Sequence, residues 1–335
     1  MNTRQHEEPG YWISPSSAAR LLICPASVTT LQSRPSAPAG AQPWNAGRLA
    51  HVAVQCWIDA ADWQAGDSTA RLMNHLANAL SAHGLNIGAI PGGRIAAARL
   101  ELRAPALAET LRRLAQHAHV RAEVPLHDPQ IKLWGIIDIL IESNSLAIID
   151  LKTGDATEKA GPGPRTRHQL LAYAALARAS QSRWPATLAV FNLHHGYQAI
   201  HYDPHEADAL VRRIIAARAA WTDGDRAAIP QQDNCRSCLR RLSCNPYWRA
   251  SARWADEPSV EGTVRRAMTA DNGKVALELN TAAGVMWLTN VTIKSGTEQL
   301  VGSRVRAVAV TVSQRREDRS PISLRATEKT ALRID

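Results

Sequence analysis

Two aspartates and a lysine lie on neighbouring short apolar segments of the chain. If Glu142 pairs with Leu146 across the intervening Ser-Asn-Ser turn, antiparallel register places Asp138 directly opposite Asp150. Side chains two residues apart share a face of a strand, so Lys152 lies on the same side as Asp150. Opposed carboxylates on an apolar sheet repel each other, and a divalent cation such as Mg²⁺ or Mn²⁺ removes that repulsion. The pattern therefore predicts a cation site with an ammonium beside it.

The same residues also have a plainer interpretation. Asp150 could begin a turn and Lys152 could be a solvated strand end, since Asp-x-Lys triplets are common in proteins. The cross-strand partner Asp138 is the observation that favours chemistry.

Three of the five cysteines form a C-x2-C-x5-C cluster at Cys235, Cys238 and Cys244. Thiolate sites for zinc or an iron–sulfur cluster usually take four ligands, so a fourth would come from another part of the chain. A C-x2-C redox pair and inert core thiols are the open alternatives. Cys56 lies outside the cluster and is expected to be a buried apolar residue.

The elements that must position these residues are of two kinds, strands and helices, which the spacing and type of their apolar residues distinguish. Segments rich in branched residues predict strands at 122–128, 133–142, 146–154 and 186–196. Helical spacing of apolar residues predicts helices at 44–65, 69–83, 105–119, 167–180 and 204–224. The second and third strands are apolar on both faces, which indicates central strands covered on two sides. The order predicts an α/β sandwich.

The pattern changes after Trp254. Three strands with little helix between them are predicted at 274–280, 285–293 and 304–314. We expect residues 1–255 to form the large domain and residues 256–335 a small β-rich C-terminal module. An OB-like module that binds DNA or a partner protein is one interpretation of this second part.

Charge and the distribution of apolar residues indicate the expected partners and location of the protein. The net charge of +9 and the pI near 9.7 come mostly from arginine, which suits phosphate contacts, although codon bias would produce the same excess. No apolar run is long enough to span a bilayer, and the first residues lack the order of a signal peptide. A cytoplasmic protein is expected, in which clustered cysteines bind metal more often than they form disulfides.

Several motifs in one order resemble a known family, the PD-(D/E)xK nucleases, and within it the RecB-like branch. They are G-x3-H at Gly47 to His51, a strand with Glu123, G-x2-D ending at Asp138, D-x-K at Asp150 to Lys152, and Q-x3-Y at Gln169 and Tyr173. The resemblance covers residues 13–250. It implies a restriction-endonuclease-like α/β/α sandwich with a central mixed sheet.

The resemblance implies a role for each residue of the central motifs. His51, Asp138 and Asp150 would hold Mg²⁺ or Mn²⁺, and Lys152 would orient or deprotonate the attacking water or stabilise the phosphate oxyanion. Considered without the motif order, His51 is an ordinary helix histidine.

Three further residues join the catalytic set by the same resemblance. Glu123 precedes the hairpin, although a surface strand residue is the alternative for it. Gln169 and Tyr173 lie four apart on one helical face, where they would support the lysine and contact DNA. For Tyr173 the alternative is packing beneath the sheet.

Some members of the branch carry an iron–sulfur cluster, with one cysteine before the nuclease motifs and C-x2-C-x5-C behind them. The matching residues are Cys24 and then Cys235, Cys238 and Cys244. Four thiolates suit zinc as well as a [4Fe–4S] cluster, and the family pattern favours iron–sulfur. Such a site would close a very long loop and would act structurally.

These expectations combine into a metal-dependent deoxyribonuclease. We expect an exonuclease that acts on DNA ends or single strands in phage or bacterial recombination or repair, in the cytoplasm of a bacterium or phage-infected host. A recombination or single-strand-binding protein is a further expected partner. The alternatives are an endonuclease or CRISPR-spacer processing factor with the same site, and a non-catalytic DNA-binding or assembly subunit with a vestigial nuclease core.

Overall fold

The computed structural model describes residues 11–33, 44–154, 161–254, 257–293, 297–314 and 322–335. The chain divides into two compact units, residues 1–227 and 228–335. The boundary expected from the sequence lies later, after residue 255. The difference has a physical reason, because Tyr247 and Trp248 pack with Cys235 and Val308 in a small hydrophobic cluster of the second unit. The cysteine-rich segment therefore groups with the β-rich part of the chain.

The first unit contains a five-stranded sheet. Its strands are β1 (His119–Asp128), β2 (Leu133–Glu142), β3 (Leu146–Lys152), β4 (Thr187–Asn192) and β5 (Gly196–Ile200). They lie in the order β1-β2-β3-β4-β5, with β3 and β4 parallel and every other pair antiparallel. The segment 186–196, expected to be a single strand, thus contributes β4 and the start of β5, with a turn between them.

In the described part of this unit, six α-helices accompany the sheet. They are α1 (Pro15–Ile23), α2 (Ala46–Asp59), α3 (Ser68–Ala82), α4 (Gly93–Leu114), α5 (Pro164–Gln181) and α6 (Pro204–Thr222). One hydrophobic core joins α2, α3 and α4 to one face of the sheet, and a second core joins α1, α5 and α6 to the other face. Ile148 and Ile149 on β3 are both fully buried, one in each core. The predicted α/β/α sandwich with a central mixed sheet is confirmed.

The second unit begins with two short helices, α7 (Gln232–Arg236) and α8 (Asn245–Ser251). Seven strands follow: β6 (Ser259–Thr269), β7 (Val275–Thr281), β8 (Gly284–Val291), β9 (Arg304–Val308), β10 (Thr311–Gln314), β11 (Ile322–Arg325) and β12 (Ala331–Ile334). They form one sheet in the order β10-β11-β8-β7-β6-β9-β12. The β-rich character is confirmed, and the unit has more strands than the three predicted from the sequence.

This second sheet closes on itself. Only Ala309 and Val310 separate β9 from β10, and Ala309 has a φ of 58° at the bend. β9 pairs with β6, whereas β10 pairs with β11. β9 and β10 are therefore two halves of one bent strand, which pairs with β6 through its first half and with β11 through its second half. The strands β6, β7, β8 and β11 and this bent strand form a barrel, and β12 adds to the other edge of β9. Its interior is filled by apolar side chains, of which Leu277, Leu279 and Leu288 are fully buried.

Within the described ranges, no helix is long and apolar enough to cross a membrane.

Candidate active site

The hairpin of β2 and β3 has the register that the sequence predicts. Glu142 pairs with Leu146, and four consecutive residue pairs follow this alignment. Asp138 and Asp150 are the next residues on the two strands, immediately beyond the last pair. The two aspartates therefore occupy the point at which the strands separate.

The carboxylate of Asp138 fills the opening between the strands. Its Oδ2 atom accepts a hydrogen bond from the backbone N–H of Leu151 at 2.7 Å. The other edge of β3 remains paired at this point, because Leu151 pairs with Phe191 of the parallel strand β4. A side chain thus replaces a backbone acceptor at the fork, which leaves Oδ1 of Asp138 available for other contacts.

Glu123 on β1 reaches the same point through an unusual backbone conformation. Its φ is 48°, in the left-handed region that residues other than glycine rarely occupy within a strand. The regular pairing of β1 with β2 omits Glu123, since Ala122 pairs with Ile139 and Val124 with Ile137. Backbone strain of this kind is concentrated at functional sites.

His51 approaches these carboxylates from α2. Asn45 caps the helix by accepting the N–H of Arg48 at 2.9 Å. The first turn lies close to the end of β3, because a Cβ added at Gly47 would be 3.2 Å from Oγ1 of Thr153. The glycine of the G-x3-H motif therefore permits the approach that brings His51 to the sheet.

The imidazole of His51 is held between a carbonyl and two carboxylates. Nδ1 lies 3.1 Å from Oε1 of Glu123 and 3.3 Å from Oδ1 of Asp138. Nε2 lies 3.2 Å from the carbonyl oxygen of Leu151, which can only accept. Nε2 must therefore carry a proton, and Nδ1 is the nitrogen available to a cation.

The donor set fits a divalent cation. One ligand atom from each of His51, Glu123 and Asp138 lies within 4.8 Å of the other two. Burial disfavours the charged imidazole, but Asp138 and Glu123 outweigh it and raise the pKa of His51 to about 10. An imidazole and two carboxylates are ligands that Mg²⁺ or Mn²⁺ accepts, and the cation would replace the Nδ1 proton as the balancing charge.

Asp150 and Lys152 lie beside this group on β3. The Nζ atom of Lys152 is 2.8 Å from Oδ2 and 3.1 Å from Oδ1 of Asp150. Burial above all raises the pKa of Asp150 to about 6, against the opposing charge of Lys152. Among the described residues, Oδ2 takes no hydrogen bond of acceptable geometry despite this ion pair. A buried carboxylate oxygen with spare capacity is what an additional cation ligand requires.

Gln169 on α5 holds both members of that ion pair. Its Nε2 donates to Oδ1 of Asp150 at 2.9 Å, and its Oε1 accepts from Lys152 at 3.2 Å. Tyr173, one turn further on, is buried and donates to the carbonyl of Ile136 at 2.8 Å. The structure therefore places Gln169 against the ion pair and Tyr173 in the packing position beneath β2.

Two residues that shape the site are not among the predicted site residues. Gly135 lets helices approach β2, since a Cβ there would lie 2.8 Å from Cδ of Pro15 and 3.0 Å from Cε1 of Tyr173. The fully buried Asn192, which pairs with Lys152 across β3 and β4, donates to the carbonyl of Gly154 at 3.0 Å. The glycine is visible in the G-x2-D motif, whereas nothing distinguishes Asn192 beyond an amide at the end of an apolar strand.

The cysteines are distributed over both units. Cys24 is the C-terminal cap of α1 in the first unit. In the second unit, Cys235 is buried on α7 and Cys238 and Cys244 follow on successive turns. The described residues include all five cysteines and contain no disulfide. Cys56, expected to be buried, is exposed on the outer side of α2. The four-thiolate cluster stays a prediction.

Comparison with solved structures gives only weak alignments. The tetrameric p202 HIN2 structure shares 18% identity over 24% of this chain and 42% of that chain, with a TM-score of 0.19. The chain thus covers less than half of that structure. The p204 HINb domain shares 10% identity over 59% of this chain and 83% of that chain, with a TM-score of 0.22. A murine DNA binding protein bound with double-stranded DNA shares 9% identity over 64% of this chain and 93% of that chain, also with a TM-score of 0.22. Scores this low support no argument about the fold.

The comparison with protein families is more informative. No curated protein matches the chain. The sequence model described as the PD-(D/E)XK nuclease superfamily matches residues 12–245, which is well over half of the chain and includes every residue of the site above. Its nucleases use divalent metal ions, which agrees with the His51, Glu123 and Asp138 group. The chain belongs to the PD-(D/E)XK nuclease superfamily.

Proposed function

We propose that the protein is a Mg²⁺- or Mn²⁺-dependent deoxyribonuclease of the RecB-like branch, acting as an exonuclease on DNA ends or single strands. The observation that supports this most strongly is the placement of His51, Glu123 and Asp138 directly beside the buried Asp150–Lys152 pair. A cation group next to an ammonium suits phosphodiester hydrolysis, because both place positive charge where negative charge develops on the phosphate. A non-catalytic scaffold would have no need to bury such a set of charges.

In the proposed mechanism, His51, Glu123 and Asp138 would hold the cation, and Oδ2 of Asp150 would be a further oxygen ligand. The bound cation supplies the positive charge that activates the attacking water and stabilises negative charge on the phosphate. His51 must give up its Nδ1 proton when the cation binds, while the Leu151 carbonyl keeps the ring oriented through Nε2.

Lys152 positions the water or donates to a phosphate oxygen in this proposal. Its side chain is 32% exposed, so a substrate can reach it, whereas the Asp150 side chain is 3% exposed. Gln169 restricts the lysine because its Oε1 accepts a hydrogen bond from one N–H of the ammonium. The two remaining protons of the ammonium are then available to Asp150 and to the reacting groups.

The biological setting that we propose is recombination or repair in a bacterium or its phage, with DNA as the substrate. The proposal also includes the four-cysteine [4Fe–4S] site, supported by the C-x2-C-x5-C spacing and by the placement of Cys24 directly after α1. Its role there is structural rather than chemical.

The test is a digestion assay with end-labelled single-stranded and double-stranded DNA, with Mg²⁺, with Mn²⁺ and with EDTA. We expect degradation that requires a cation and that releases label progressively from linear substrates. A covalently closed circle should persist under the same conditions, and its cleavage at the same rate would favour an endonuclease. Undiminished degradation by purified Asp150→Ala protein would contradict the assignment of the site.

A further inference from the structure

The barrel of the second unit has the strand arrangement of an OB-like fold. β6, β7 and β8 form a meander, β11 pairs in parallel with β8, and the bent strand β9–β10 closes the ring against β6. Barrels of this class bind oligonucleotides on the outer face of their second and third strands. In this unit those strands are β7 and β8.

One tryptophan lies on that outer face. Leu288 on β8 and Leu279 on β7 are fully buried inside the barrel, so the alternating neighbours Trp287 and Glu278 point outward. Trp287 pairs with Glu278 on one side and with Ser323 of β11 on the other. Both neighbours have short or medium polar side chains, and Trp287 stays partly exposed between them.

Arginines lie on either side of this tryptophan. Arg266 on β6 pairs with Glu278, which places it two strands from Trp287, a spacing of roughly 10 Å. Arg325 on β11 pairs with Thr289, two residues beyond Trp287, and is diagonal to the indole. Both arginines are exposed. The carboxylate of Glu278 is 3.8 Å from a third arginine, Arg265, so the face has an excess of positive charge.

Another part of the barrel surface is covered within the same unit. Arg306 on β9 is 5% exposed and donates to the carbonyl of Leu242 and to Oδ1 of Asn245, and its guanidinium lies 5.4 Å from the ring of Trp248. The cysteine-rich segment thus packs on β9. The face around Trp287, on β7, β8 and β11, is distinct from this covered strand.

We propose that the face formed by Arg266, Trp287 and Arg325 binds single-stranded DNA. The indole stacks on one unpaired base, and the two guanidinium groups contact phosphates on either side of it. A paired base is already stacked within its duplex, so a single tryptophan on a flat strand selects single strands. The choice of DNA rests on the proposed nuclease function, whereas the stacking and phosphate contacts rest on the barrel.

The test uses the chain of residues 1–335 carrying Asp150→Asn, in EDTA, so that binding is measured without cleavage. Fluorescence anisotropy with a labelled oligo-dT should show Trp287→Ala binding at least about tenfold more weakly, and Trp287→Phe retaining most of the affinity. Arg266→Glu with Arg325→Glu should weaken binding and flatten the dependence on salt. Arg333→Glu, at an exposed position on β12, makes the same charge change as either of these arginine substitutions made alone, so it is the matched control for each single variant and should bind as the parent does.

Unchanged affinity in both the Trp287→Ala protein and the double arginine variant would overturn the proposal, as would tighter binding of a duplex of equal length. If Trp287→Ala lowers the thermal unfolding temperature, the arginine variant and its salt dependence decide the question. The two proposals fail separately. A wild-type chain that degrades no DNA but binds it through Trp287 refutes the nuclease and leaves the binding face intact.

Discussion

The ammonium of Lys152 lies 2.8 Å from Oδ2 of Asp150, and the amide of Gln169 contacts both side chains. Each group of the pair is the main compensation for the other's charge in a largely apolar sheet. Removal of one partner from a buried pair leaves an uncompensated charge, which costs more than the loss of the contact itself.

Lys152→Met should therefore abolish cleavage and also lower the free energy of unfolding by about 1–3 kcal/mol, less than for a fully buried pair because Lys152 is partly exposed. Asp150→Asn should also abolish cleavage without that loss. Burial raises the pKa of Asp150 in the folded protein to about 6, so keeping this carboxylate ionised in the folded state costs free energy. The stabilisation from the protonated carboxyl is therefore present at low pH and is lost as the pH rises through 6. In urea denaturation the double variant, Lys152→Met with Asp150→Asn, should lose less free energy of unfolding than the two single variants lose together. Simple additivity of the two losses would contradict the coupling.

Gln169 acts through Lys152 and Asp150 rather than on the substrate, so it is a positioning residue. Gln169→Leu should lower kcat by about 10–100-fold with little change in KM for DNA, and Gln169→Glu should shift the pH profile of kcat by adding a charge next to the lysine. Ser180→Ala, at an exposed position on the same helix, is the control. An equal rise in KM for Gln169→Leu with unchanged kcat would indicate DNA contact instead.

Cation binding should release about one proton from His51. Without a cation the pKa of His51 is about 10, so the ring is protonated at neutral pH. The affinity for Mn²⁺ should consequently increase by about tenfold per pH unit as the pH rises toward that value, until another group intervenes. Calorimetry in two buffers of different ionisation enthalpy measures the proton directly. A His51→Gln protein should bind Mn²⁺ more weakly and release none.

Gly135 should not tolerate a methyl group. Gly135→Ala brings Cβ to 2.8 Å from Pro15 and 3.0 Å from Tyr173, so α1 or α5 must move away from β2. We expect a loss of about 1–3 kcal/mol in the free energy of unfolding, measured with urea. Gly66→Ala is the matched control because nothing lies within 4 Å of its added Cβ. Equal stability of the two variants would show that the approach of the helices is not tight.

The cysteine cluster has a direct spectroscopic test. Anaerobically purified protein should be coloured and contain about four iron atoms per chain, and Cys238→Ser should remove both properties. Cys56→Ser should keep them, since Cys56 is exposed and outside the spacing pattern. A colourless protein that contains one zinc would refute the iron–sulfur cluster and would leave the nuclease site unaffected.

The hairpin can be predicted from the sequence because its determinants are local. A short turn fixes the register of two strands, and the period of two then decides which side chains meet. These two rules are enough to bring Asp138, Asp150 and Lys152 together. Glu123 can be named only by resemblance, because its contact with His51 depends on a left-handed φ that no residue type at that position signals.

The closure of the barrel in the second unit does not follow from the sequence. Residue pattern predicts one strand at 304–314, and the structure contains two strands there, joined by the bend at Ala309 and Val310. The partner of β9 on β6 lies 41 to 49 residues earlier in the chain. Such long-range pairings are decided by the packing of the interior rather than by local preference. The cation group of the first unit is likewise assembled from α2, β1 and β2, which only the complete sheet brings together.

The ring of strands in the second unit also affects the tendency of the protein to aggregate at high concentration. An open sheet offers unpaired N–H and C=O groups to other molecules, which leads to aggregation. Here the bent strand β9–β10 occupies the edges of both β6 and β11. A truncation that removes residues 322–335 would open the ring and expose the edges of β8 and β10. Such a shortened protein should precipitate through intermolecular strand pairing even though its nuclease residues are untouched.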